Sequence, residues 1–154
     1  MASNDPSTEE KIQHALTDAR VVLPGAQALL GFQLIGVFLG GFSGLPISLR
    51  YVHLTSLSLV TLSTILLMTP AAYHRLVDEG EPSEDFYRLA KRTVLLSMMP
   101  LAAGICGDFF IVARKVSASL IFASLATGVL AAMFAILWFG IGLIKWKRGD
   151  LSGI

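Results

Sequence analysis

Residues 116–144 read VSASLIFASLATGVLAAMFAILWFGIGLI, 29 consecutive positions without a charged side chain. About 20 apolar residues cross a hydrocarbon core about 30 Å thick, and this stretch would extend about 44 Å as a helix. It reads as a membrane span that must tilt or project into the headgroup region. Three more apolar segments precede it, at residues 21–42, 51–73 and 93–113. Lipid cannot satisfy unpaired strand edges, so spans of this kind are helices. They are also too long and too evenly apolar for barrel strands. The expected fold is an all-α integral membrane bundle of four transmembrane helices.

Composition agrees with this. The 154 residues are 54% hydrophobic and only 15% charged, against about 25% charged in a soluble domain. Nearly all ionisable side chains fall in residues 1–20, 74–92 and 145–150. Net charge is +1 with no basic stripe, which argues against a nucleic-acid partner. The single cysteine, Cys106, excludes an intrachain disulfide or a Cys-based zinc site. It is expected to be a small packing residue.

The polar, acidic N-terminus lacks the features of a signal peptide, so the first apolar segment is expected to stay as a span. Ser7 and Glu10 form a capping box. It predicts a short N-terminal amphipathic helix from Thr8 to about Arg20, with Ile12, Ala15, Leu16 and Ala19 at helical spacing. The chain then divides into a cytoplasmic segment 1–20, a transmembrane domain 21–144 with a cytoplasmic linker at 74–92, and a tail 145–154. Alternate sides of the bundle hold nine and three Lys/Arg residues, the three being Arg50, Arg114 and Lys115. The positive-inside rule therefore places both termini in the cytoplasm.

Asp108 is the sharpest candidate for chemistry, because an ionisable residue inside a span is costly and defaults to a functional hypothesis. Arg50 and His53 are expected at the same membrane level. The leading expectation is an Asp108–Arg50 ion pair that ties the third span to the second. The alternative is a proton or cation site formed with His53. Gln27 and Gln33 are amides of the first span, about 240° apart around a helix; interhelical hydrogen bonding is their expected role, and the lining of an ion or proton pathway is the alternative. Seven hydroxyl residues between Thr55 and Thr69 scatter around the second span, which predicts a helix enclosed by protein with many hydroxyls bonded back to i−4 carbonyls. Small residues at spacing four, Gly36 and Gly40 in the first span and Ser124, Gly128 and Ala132 in the fourth, mark faces for close helix contact, within the chain or between copies.

No phosphate-binding loop, zinc-protease motif, nucleophile elbow or carboxylate pair within a span is present, so no enzyme is expected. No cofactor or metal is expected either. His53 and His74 are 21 residues apart on one helix, about 31 Å, too far to share a haem.

The segments DARVVLPGAQ at 18–27 and PAAYHR at 70–75 resemble a family of small bacterial four-span membrane proteins without assigned function, some of them labelled sodium/proton antiporters. The resemblance implies a bacterial cytoplasmic (inner) membrane location. Within these motifs Asp18, Arg20, His74 and Arg75 share the cytoplasmic level, where Asp18 and Arg75 could pair as a structural anchor, or Arg20 and Arg75 could bind lipid phosphates. Two functions follow. The first is a non-enzymatic bundle acting by helix packing, as a homo-oligomer or an accessory subunit of a larger membrane complex. The second is a small proton-coupled cation transporter using Asp108 and His53.

Overall fold

A computed structural model describes residues 8–76 and 84–140. It is all-α: α1 spans Thr8–Phe38, α2 Ile47–Leu76, α3 Glu84–Ser117 and α4 Leu120–Phe134, and α4 continues as a π-helical turn over Ala135–Gly140. Four helices are long and apolar enough to cross a membrane, over Arg20–Phe38, Ile47–Tyr73, Phe86–Ser117 and Leu120–Trp138. The side chains of Asp18, His74 and Arg75, and the tail 145–154 with Trp146, lie outside the described residues.

Several expected boundaries shift. The N-terminal amphipathic helix is not a separate element, because α1 runs unbroken from Thr8 through Pro24. Likewise α3 begins at Glu84, inside the expected linker 74–92, rather than at the start of the third span. At 34 residues α3 measures about 51 Å, and it takes Val116 and Ser117 from the expected fourth span. Arg114 and Lys115 sit in its last turn, where positive charge offsets the helix dipole. The reversal into α4 is tight. Ala118 adopts φ 52°, a left-handed conformation that is uncommon outside glycine. Ser119 then caps α4 by accepting from the Phe122 N–H.

The bundle is built on the antiparallel pair α2 and α3. Buried α2 positions Ser56, Val60, Ser63, Leu67 and Pro70 recur at alternating steps of four and three, the rhythm of helices that pack nearly parallel to one another. Phe86, Ala90, Thr93, Ser97 and Leu101 supply the facing stripe of α3. Interhelical attraction in lipid comes from close packing rather than from the hydrophobic effect, and two glycines of α3 allow it. A Cβ on Gly104 would lie 2.6 Å from Val60 Cγ2, and one on Gly107 would collide with Ser56 Oγ. α1 packs against both α2 and α3, while α4 packs on α3 alone among the described helices. Trp138 of the π-turn reaches the core formed by Ala26, Val60, Leu67 and Leu101, and it meets Phe134 edge-to-face at 4.7 Å.

Two packing expectations are corrected. At Gly36, Gly40 and Gly128 an added Cβ would meet nothing within 4 Å, and Ser124 and Ala132 are exposed. None of these five makes the close contact within the chain; Gly104 and Gly107 do. Nor is α2 enclosed: Tyr51, Leu54, Leu62, Ile65 and Met68 are exposed along one side. Its exposed hydroxyls follow the expected back-bonding, with Ser58 donating to Leu54 O, Thr61 to Leu57 O and Thr69 to Ile65 O. A self-satisfied hydroxyl can face hydrocarbon, so hydroxyl content did not report burial.

Gly107→Val should therefore lower the thermal unfolding midpoint in mild detergent, with overpacking costing about 1–3 kcal/mol. Gly128→Val, at a site with open space, should leave the midpoint nearly unchanged. Equal midpoints in tryptophan-fluorescence melts would contradict the close α2–α3 contact.

Candidate functional site

Three helices bring one polar residue each to a common point. On α1, Gln33 lies seven positions after Ala26, on the same inward stripe, and both are buried. On α2, His53 lies three residues before Ser56, which contacts α3. On α3, Asp108 directly follows Gly107. The close approach at Gly107 thus carries the carboxylate to the histidine.

Gln33 Nε2 donates to Asp108 Oδ2 at 2.5 Å. His53 Nδ1 lies 3.7 Å from Asp108 Oδ1, with the two side chains 13% and 22% exposed. His53 Nε2 is 3.2 Å from the main-chain oxygen of Gln33. A carbonyl oxygen only accepts, so Nε2 carries its hydrogen. Nδ1 then faces the carboxylate, and the two attract only if a proton resides on one of them. That proton makes either an imidazolium–carboxylate pair or a neutral acid beside a neutral imidazole.

Gln33 Oε1 is buried without a hydrogen-bond partner. An orphaned acceptor of this kind costs about 1–3 kcal/mol, and a native structure that keeps one calls for an explanation.

The Asp108–Arg50 ion pair is not formed. Arg50 turns away and closes the 39–46 connection, Nε donating to Leu45 O at 3.0 Å and Nη2 to Ser43 O at 2.6 Å. Residues 39–46 expose carbonyls that no helix can satisfy, and a guanidinium from the first turn of α2 is close enough to take them. Its link to the cluster is indirect. The guanidinium lies 6.0 Å from the Phe42 ring centroid, and Phe42 meets His53 edge-to-face at 5.3 Å. Gln27 lies on the exposed side of α1, away from the cluster, as its angular offset from Gln33 requires. Arg20 is exposed at the start of its span. Cys106, between the contact glycines Gly104 and Gly107, is half-buried with a free thiol. No group of three His, Cys, Asp or Glu side chains suited to a metal occurs among the described residues.

Two grooves reach His53. One, of about 410 Å³, runs between α1 and α2 past Phe38, Tyr51 and Arg50. The other, of about 350 Å³, runs between the 39–46 connection and α3 past Gly36 and Lys115. Both lie at the end of the bundle that carries this connection. Toward the other end, Ala26, Val60, Leu67 and Leu101 close the core.

The family model of DUF6328, a family of unknown function, matches residues 4–142. The chain belongs to that family. The match spans α1 to α4 and all three residues of the cluster, and it brings no activity and no antiporter assignment with it. No curated protein and no solved structure matches the chain.

Arg50→Ala should speed amide hydrogen exchange across residues 39–46, because hydrogen bonds from a charged donor contribute about 1.5–3 kcal/mol. Exchange within the α2–α3 contact around Gly107 should not change. Slow exchange retained at 39–46 would show that Arg50 does not hold the connection.

Proposed function

We propose that this chain is a small proton-coupled cation transporter of the bacterial cytoplasmic membrane, with both termini in the cytoplasm and Asp108 as its proton-binding group. One observation carries the reading. Asp108 lies within a membrane-compatible helix, has no arginine or lysine partner among the described residues, and meets His53 and Gln33 from two other helices. A permanently charged partner would hold the carboxylate ionised, whereas an imidazole and an amide leave it free to exchange a proton. The grooves that reach His53 from one end, with an apolar layer beyond, fit a site open to one side at a time. Larger transporters also place coupling sites between helices that can part.

In proteoliposomes carrying a pH gradient, added sodium or potassium should dissipate the gradient through the wild-type protein. Asp108→Asn should reduce that rate at least tenfold. A cation-independent wild-type rate, or full activity in Asp108→Asn, would refute transport through this site.

A second reading, action by helix packing as a homo-oligomer or accessory subunit, is favoured by α4. It packs on α3 alone among the described helices and turns Ser124, Gly128 and Ala132 outward, and small outward residues let a second helix come close in lipid. Gly128→Cys should then form disulfide-linked dimers on mild oxidation in native membranes, in a chain whose Cys106 is replaced by Ala. A monomer in mild detergent with no crosslink and no co-purifying protein would refute it.

A further inference from the structure

Gln33 uses only half of its side chain. It is 4% exposed, its Nε2 donates to Asp108 Oδ2, and its Oε1 has no partner. A carboxamide donates at one end and accepts at the other. Toward a carboxylate it must present nitrogen; toward the hydroxyl of a protonated carboxyl it must present oxygen. The orientation seen here fits an Oδ2 that carries no proton, and it leaves Oε1 buried without a donor. A proton placed on Oδ2 reverses the demand, because the new O–H can donate to Oε1 once the amide turns over.

We propose that Gln33 reads the protonation state of Asp108 and passes it to α1, so that proton binding changes how α1 docks on α2 and α3. The proposal rests on the reading of Asp108 as the proton-binding group.

The placement of Gln33 gives it leverage. Its side chain holds α3 and its main-chain oxygen holds His53 of α2, so one residue fastens α1 to both neighbours. The remaining attachment is apolar, through Ala26 with Leu29 and Leu30, and only 11% of the α1 span is buried, against 28% for α2. Gly31 and Gly36 flank Gln33 on α1 with nothing within 4 Å of a Cβ position, which leaves room for α1 to shift.

The charged surroundings are few. From α2, His53 is within ion-pair distance, while Arg50 is turned to the 39–46 connection. On α3 itself, Arg114 and Lys115 lie six and seven residues further on, and Cys106 two residues before. The connection 39–46 and residues 120–140 contain no ionisable side chain. The groups that meet Asp108 from the other helices are therefore His53 and Gln33.

The test uses the full-length protein in lipid nanodiscs, with spin labels at Val37 on α1 and Val112 on α3, both exposed. Electron–electron distances and the infrared band of protonated carboxyl groups are followed across pH. The wild-type distance should shift over the same pH range in which the Asp108 band, absent from Asp108→Asn, appears. Asp108→Asn should show a distance independent of pH. In Gln33→Leu the band should still titrate while the distance stays fixed. Gln33→Glu, in which two acids share one proton, should move the distance shift to a pH at least one unit higher, a gain that misfolding cannot imitate.

A wild-type distance that stays constant while the band titrates would overturn the proposal, as would a shift retained in Gln33→Leu or a band that never titrates. Cation flux lost in Asp108→Asn with α1 unmoved would overturn it and leave the transport reading standing. An α1 shift without flux would support it and remove transport.

Discussion

The close approach of α2 and α3 at Gly104 and Gly107 is the contact on which the rest of the bundle depends. A side chain at Gly107 would occupy the position of Ser56 Oγ, so the two backbones could not meet there. Their meeting sets the register of the antiparallel pair. From that register follow the stack of Val60 and Leu101 in the core, the position of Asp108 beside His53, and the groove into which α1 lays Gln33. In lipid no hydrophobic force compensates for a lost close contact, so the register cannot be shifted by one turn without separating the carboxylate from its partners.

That separation would be costly for a second reason. A carboxylate in a low-dielectric setting must be hydrogen-bonded, paired or neutralised. Asp108 obtains one hydrogen bond from Gln33 and one ionisable neighbour in His53, and no permanently charged partner among the described residues. The site is polar enough to keep the acid in the bundle and too weakly cationic to fix its charge. An arginine at the same place would have served stability and removed any response to pH. Arg50 is only three residues from His53 along α2, yet its guanidinium is engaged with the carbonyls of Ser43 and Leu45.

The four helices and their approximate spans were legible from the sequence, because predominantly apolar runs of about 20 residues admit no other structure in a membrane. Asp108 and Gln33 were legible as candidates for the same reason: polar groups within such runs stand out. Their mutual contact was not, since it depends on which faces of three helices converge, and helical periodicity carries no information when nearly every position is apolar. The expected pairing with Arg50 failed because membrane level fixes depth and not azimuth. A loop with unsatisfied carbonyls competed for that side chain and won by proximity. The glycine contact was open to a reading of the sequence, since Gly104 and Gly107 lie one turn apart on the third span beside Asp108. Spacing four pointed instead to Gly36, Gly40 and Gly128, where an added Cβ would meet nothing within 4 Å.

The arrangement also constrains how any proton could pass. Both grooves end at His53 from the same side, and beyond it Ala26, Val60, Leu67 and Leu101 form an apolar layer. Ser63 lies at that layer on the same stripe of α2, fully buried and with its hydroxyl unpartnered, so the polar line continues but is interrupted. With α2 and α3 locked by their glycine contact and α4 touching α3 alone among the described helices, the element that can open the layer is α1, which contributes Ala26 to it and Gln33 to the cluster seven residues away. One rigid displacement of α1 would expose the layer and break the cluster together. Under the proposed transport reading, α1 would thus carry both the plug residue Ala26 and the proton contact Gln33.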